Sequence, residues 1–134
     1  MTRFVVDAGV AIRLATEAID VPAEHELLAP TLLRSETLSA LHEAVARGEI
    51  TAEEGLERHR RISGMRIRLL GDGVLRRRAW RVAEQLDWAS TFKAEYVALT
   101  QLQADAFVTL DAQLARSLQG IVAIASIDAL RVGS

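Results

Sequence analysis

Residues 4–10, Phe4-Val5-Val6-Asp7-Ala8-Gly9-Val10, decide the fold. Phe4-Val5-Val6 is an aromatic and β-branched run with no polar alternation, the pattern of a short strand buried on both faces. Asp7 closes the run, and from Ala8 to Thr16 the apolar residues Val10, Ile12 and Leu14 predict a helix. A buried strand that passes straight into a helix is the opening of a parallel α/β unit. It leaves a carboxylate at the strand's carboxyl end.

The rest of the chain repeats the alternation. A second strand is predicted near Leu27-Leu28-Ala29, with Pro30 opening the following helix. That helix covers 31–47 through Leu33, Thr37, Leu41, Ala44 and Val45, and Gly48 ends it. Thr51 and Glu54 form a capping-box pattern for a third helix reaching Ser63. Residues 67–70 read as a strand, Gly71-Asp72-Gly73 as a turn into a helix ending near Leu86, and 91–102 as another helix. The stretch 106–110 (AFVTL) reads as a strand, 111–118 as a short helix and 121–125 as a last strand. Alternation of this kind implies an α/β domain over 1–134, with a parallel sheet covered on both faces. Such sheets bind ligands outside the carboxyl ends of their strands.

Composition narrows the class. The chain has 134 residues, half of them apolar, and a formal net charge of −2. That length suits one domain with a core of its own. The absence of cysteine removes disulfides, thiolate metal sites and a cysteine nucleophile. No apolar run approaches the ~20 residues that span a bilayer, and the N-terminus lacks a signal-peptide layout, so a cytoplasmic location with no membrane partner is expected. All of the basic residues except Lys93 are arginine, gathered at Arg58, Arg60, Arg61, Arg66 and Arg68 and at Arg76, Arg77, Arg78 and Arg81. These clusters suit solvated helix faces paired with Glu57 and Glu84, or contact with RNA phosphates.

Asp7 follows FVV and Asp111 follows AFVTL, so a parallel sheet would present both acids at one edge. Glu36 lies in the first turns of the helix after the second strand. Three converging carboxylates repel and desolvate one another unless a cation sits among them. A donor set of oxygens alone suits Mg²⁺ or Mn²⁺. Each acid also has a plainer reading. Asp7 and Asp111 precede helices and fit N-caps, and Glu36 fits a solvated helix position. The residues by themselves leave both readings open.

FVVDAGV at 4–10, LLRSETLSAL at 32–41 and AEYVALTQLQADAFVTLDAQLA at 94–115 together resemble the PIN-domain family, with the nearest likeness to VapC-type ribonuclease toxins of toxin–antitoxin pairs. The resemblance spans nearly the whole chain in order. It implies a three-layer α/β/α fold around a mainly parallel sheet of four to five strands. It implies an endoribonuclease that binds Mg²⁺ or Mn²⁺ through Asp7, Glu36 and Asp111, with Thr109 as the threonine of a Thr-x-Asp motif. It further implies an RNA substrate, a cognate antitoxin that covers the site, and a homodimer.

The family's third acid opens the late helix, and here Lys93 stands at that position, with Glu95 two residues later. Glu95 is taken as the fourth member of the catalytic and metal-binding set. Two helical positions correspond to about 200° of rotation, so Glu95 inherits the missing acid's direction only through an irregular first turn. Lys93 fits either a cation in the cleft or a nuclease that has lost catalysis and keeps the fold for binding. The binding module is therefore the second functional reading. A receiver-type phosphorylation domain also uses strand-end acids, but Ala8 stands where its second acid is needed. Asp105 precedes its strand and reads as a turn residue at the opposite edge. Trp80, Trp88 and Tyr96 are read as packing residues spread too thinly for a base-stacking platform. His25, His42 and His59 are read as exposed. The apolar faces carrying Leu33, Leu38, Leu41 and Leu56 suit either the core or a partner helix.

Overall fold

The computed structural model describes residues 1–133. Strands β1 (Thr2–Val6), β2 (His25–Pro30), β3 (Ile67–Leu70), β4 (Ala106–Val108) and β5 (Ile124–Ala125) form one parallel sheet in the order β3-β2-β1-β4-β5. Helices α1 (Ala8–Thr16), α2 (Leu32–Ala46), α3 (Ala52–Ser63), α4 (Gly73–Gln85), α5 (Phe92–Gln103) and α6 (Ala112–Ser117) cover it. The result is the expected three-layer α/β/α architecture.

The apolar run of β1 explains how the layers are held. Val5 lies opposite Leu28 on one side and Phe107 on the other, and these three share a core with Val97 and Leu99 of α5 and Leu75 and Val82 of α4. Phe4 lies opposite Leu27 and Ala106, and Val6 opposite Val108; these pack with Val10 and Leu14 of α1 and with Leu130 on the other face. Successive side chains point to opposite faces, so a run without polar gaps is what a central strand requires. Burying each of the valine, leucine and phenylalanine side chains contributes about 1.5–3 kcal/mol.

Helix starts follow from local chemistry. Thr51 and Glu54 make the predicted reciprocal box, with Glu54 N–H donating to Thr51 Oγ1 at 3.0 Å and Thr51 N–H donating to Glu54 Oε1 at 2.9 Å. Asp72 caps α4 through the Leu75 N–H at 2.9 Å. Gly48, with φ of +76°, occupies the left-handed conformation that ends α2.

The structure departs from the sequence reading at three places. Pro30 ends β2, opposite Leu70, and does not open α2. Thr31 is the N-cap position of α2, and its N–H donates to Leu70 O at 3.1 Å. Proline supplies no ladder donor, which a strand's last residue can do without. β4 stops at Val108, two residues earlier than predicted, so Thr109 and Leu110 separate it from Asp111. β5 keeps only Ile124–Ala125, because the N–H groups of Ile121 and Val122 are drawn back to Leu118 O. The short 3₁₀ helix at Ile127–Leu130 carried no sequence signal. Among the described residues, no helix is long and apolar enough to cross a membrane.

Chain direction decides where the site lies. From β1 the chain winds outward through β2 to β3, then returns to the other side of β1 for β4 and β5. The winding reverses between β1 and β4, where connections diverge and leave a crevice beyond the carboxyl ends of the strands.

Candidate metal centre

Asp7 is the first residue after β1 and Asp111 follows β4 by two residues, so both border that crevice. A cavity of about 170 Å³ there is walled by Asp7, Glu36, Lys93, Tyr96 and Asp111, over a floor that includes Phe107. Glu36 reaches it from the second turn of α2, Tyr96 and Lys93 from α5.

Both aspartates are helix N-caps, as their positions allowed. Asp7 Oδ1 accepts from the Val10 N–H at 3.0 Å, and Asp111 Oδ1 accepts from the Leu114 N–H at 3.0 Å. The cap does not exhaust Asp7. Its Oδ2 accepts from the Thr109 hydroxyl at 2.6 Å, and the same Thr109 Oγ1 accepts from the Asp111 N–H at 3.2 Å. Thr109 therefore links the two acids.

Asp7 is largely withdrawn from water, and this burial raises its carboxyl above the ordinary 3.8; the Asp111 charge adds to the rise, while the bonds from Thr109 and Val10 oppose it. Glu36 Oε1 accepts from the buried Tyr96 hydroxyl at 2.5 Å. Burial and the bond to Glu36 drive the Tyr96 hydroxyl well above its usual range, with further contributions from the charges of Asp7 and Glu95. Tyr96 is thus a fixed donor to Glu36. The sequence reading took Tyr96 for a packing residue. A buried tyrosine needs a partner for its hydroxyl, and an acid on a facing helix supplies one.

Lys93 and Glu95 occupy different places. α5 is regular from Phe92, so the two point about 200° apart. Lys93 lines the cavity and Glu95 does not. Burial raises the Glu95 carboxyl, followed by the nearby charge of Glu36, and Arg76 opposes the rise. Glu95 therefore stands within electrostatic reach of Glu36 but outside the cavity wall.

The donor chemistry is that of a hard cation's site: carboxylates, a hydroxyl and no sulfur or imidazole. None of Asp7, Glu36, Glu95 and Asp111 has an ion pair among the described residues, and Lys93 is the one cation in the cavity wall. No three of the described His, Asp and Glu side chains stand close enough to hold an ion jointly. The acids border the crevice without forming a closed cage.

Asp105 accepts from the Arg3 N–H at 2.8 Å, at the opposite edge of the sheet, as its position before β4 implied. His25 is not exposed. It is half-buried, edge-on to Phe4, with Nε2 bonded to Val132 O at 2.5 Å. Glu57 pairs with Arg60 and Arg61, and Glu54 with Arg58, so much of the first arginine cluster is a solvated, paired helix face. Trp80 is 64% exposed and is not part of the core.

No sequence-family profile matches the chain, and no curated protein matches it in sequence. Solved structures do resemble it. PAE2754 from Pyrobaculum aerophilum is 20% identical with a TM-score of 0.74, over 96% of this chain and 92% of that one. VapBC2 from Rickettsia felis, in a crystal structure bound to a DNA fragment from its promoter, is 7% identical with a TM-score of 0.64, over 92% of this chain and 98% of that one. At these identities the likeness establishes the fold, a PIN-like α/β/α arrangement.

Proposed function

We propose that this chain is a metal-dependent endoribonuclease of the VapC toxin type, cleaving RNA phosphodiester bonds with a carboxylate-bound Mg²⁺ or Mn²⁺. The observation that carries the reading is the convergence of Asp7, Glu36 and Asp111 on one crevice with no ion pair to neutralise them. Asp7 and Asp111 would hold the metal, and Glu36 would bind it or orient a water bound to it. Glu95 acts, in this reading, through its charge beside Glu36. A divalent ion held there would activate water and offset the charge that builds on a phosphate during displacement.

The chain's own groups carry the remaining tasks. Thr109 fixes the direction of Asp7 Oδ2 and, through the Asp111 N–H, the relation between the two acids. Tyr96 holds Glu36 Oε1, which leaves Oε2 to accept a proton from an attacking water. Lys93 supplies a positive charge in the wall for a phosphate oxygen.

The likeness to VapBC2 supports a toxin–antitoxin setting with a cognate antitoxin as partner; in this proposal the antitoxin inhibits by covering the site, and the working form is a homodimer. The groove between α2 and α3, bordered by Leu33, Leu38 and Ile62, is suited to a partner's apolar helix. Incubating the purified protein with single-stranded RNA and Mn²⁺ tests the proposal. Cleavage that disappears in Asp7→Asn supports it; absence of both cleavage and calorimetric Mn²⁺ binding rejects it.

A second reading has its own observation. Lys93 occupies the cavity wall and Glu95 does not, which is what a PIN-like binding module without catalysis would have. Metal-independent RNA binding without cleavage would select it.

A further inference from the structure

The acid crevice does not end at Lys93. It shares Glu36, Lys93, Asp111 and Leu114 as walls with a neighbouring cavity of about 620 Å³, which passes Phe92 and Trp88. That cavity shares Asp87, Trp88 and Ala89 with a third of about 370 Å³, which ends against Trp80. The three adjoin through these shared residues and together make a broken trench, from the carboxylates across the start of α5 to the end of α4.

The aromatic rings along the trench are presented outward. Phe92 is 58% exposed and Trp80 64% exposed, although rings of this size are ordinarily buried. Trp88, between them, is half-buried and packs against the core. Its backbone N–H donates to Ala83 O at 2.8 Å, and Asp87 before it holds φ at +57°, a left-handed conformation that a non-glycine residue adopts at a cost. The turn between α4 and α5 thus maintains backbone strain while setting an indole in the trench wall. Helix α4 itself is basic: Arg76, Arg77, Arg78 and Arg81 stand against Glu84 as its only acid. Arg77 lies one helical turn from Trp80 and, like Arg81, has no ion-pair partner among the described residues.

We infer that this trench is a binding track for single-stranded RNA, in which unpaired bases flanking the cleaved phosphodiester stack on Phe92, Trp88 and Trp80 while the backbone passes the exposed Arg77 and Arg81 beside Trp80. The inference rests on the ribonuclease reading for the identity of its ligand. Rings spaced along a groove beside guanidinium groups bind single strands of any sequence, because every base presents a π-face. Duplex RNA keeps its bases stacked on one another and cannot use such a track. The lining carries Glu36, Glu84, Asp87 and Asp111 against the single cation Lys93, so binding would rest on stacking against the rings and on Arg77 and Arg81 outside the lining.

Trp80 and Trp88 are the chain's only tryptophans, so its intrinsic emission reports on the trench directly. The test is a fluorescence titration of the intact protein with a single-stranded RNA of about 10 nucleotides, a length within the usual site size, in EDTA to prevent cleavage. The RNA should quench the emission. Trp80→Ala, a change at an exposed position, should weaken binding about 5- to 150-fold, and Trp80→Phe should restore most of the loss. A duplex of the same sequence should quench little. Unchanged affinity in Trp80→Ala, equal competition by duplex, or emission unaffected at saturating RNA would overturn the track, the last leaving the trench to a protein partner. Asp7-dependent cleavage with no effect of Trp80→Ala would reject the track alone. Quenching lost in Trp80→Ala, without any cleavage in Mn²⁺, would reject the nuclease reading alone.

Discussion

The Thr109 hydroxyl donates to Asp7 Oδ2 at 2.6 Å across 102 positions of sequence, joining the ends of the adjacent strands β1 and β4. One small side chain thereby fixes the orientation of a mostly buried carboxylate. Thr109→Val keeps the shape and removes the donor. Such a change leaves a buried acceptor unsatisfied and should cost about 1–3 kcal/mol by urea denaturation, with a further rise of the Asp7 carboxyl. Thr109→Ser should recover most of both, because the hydroxyl is what matters.

Asp7→Asn should separate stability from activity. The native carboxyl is raised above the unfolded chain's 3.8, so the folded state holds the proton more tightly. The stability this contributes is present at low pH and is lost as pH rises from about 3.8 through the raised native value. Asparagine caps a helix as well as aspartate does and carries no charge to desolvate. In EDTA at pH 7, Asp7→Asn should therefore melt at or above the native Tm, with the advantage gone near pH 4. RNA cleavage should fall more than about 100-fold, beyond what loss of an outer-shell partner produces. Mn²⁺ should raise the Tm of the native protein in a saturating manner and leave the variant unmoved.

Tyr96→Phe tests how Glu36 is held. The ring stays in the core and the donor to Oε1 is lost. A stability loss of about 1–2 kcal/mol is expected. If Glu36 must be aimed, kcat for RNA cleavage should drop by about 10-fold or more while KM changes little, since the bond orients a reacting group and does not hold substrate.

Lys93→Ala should show the opposite division. Loss of a phosphate contact raises KM several-fold, with kcat nearly unchanged. The slope of log affinity against log salt should become shallower by about 0.7, the value for one phosphate contact on a single strand. An unchanged salt slope would place the Lys93 ammonium away from the RNA backbone.

What the sequence disclosed was what adjacent residues decide. The passage from Val6 through Asp7 into α1 is local, and the capping box of Thr51 and Glu54 is contained in four residues, so both were legible. The partnership of Glu36 with Tyr96 spans 60 positions and joins two helices, and nothing in either neighbourhood announces it. Thr109 and Leu110 looked like strand because their residue types favour it. Their strand partner β1 ends at Val6, opposite Val108, so the β1–β4 ladder stops there. Trp80 and Trp88 are eight residues apart on either side of a helix end, and helical spacing says nothing about a chain that turns at Asp87. His25 looked exposed because its acceptor, Val132 O, arrives from the far end of the chain.

Lys93 is the only lysine, and it stands in the wall of the acid crevice. Apart from the terminal amine, the protein therefore offers one primary amine to acylating reagents, and that amine is at the candidate centre. A reagent that ordinarily scatters label over a surface becomes site-directed here. Protection of Lys93 by Mn²⁺ or RNA, read as loss of a single mass increment, would map occupancy of the crevice without any engineered residue.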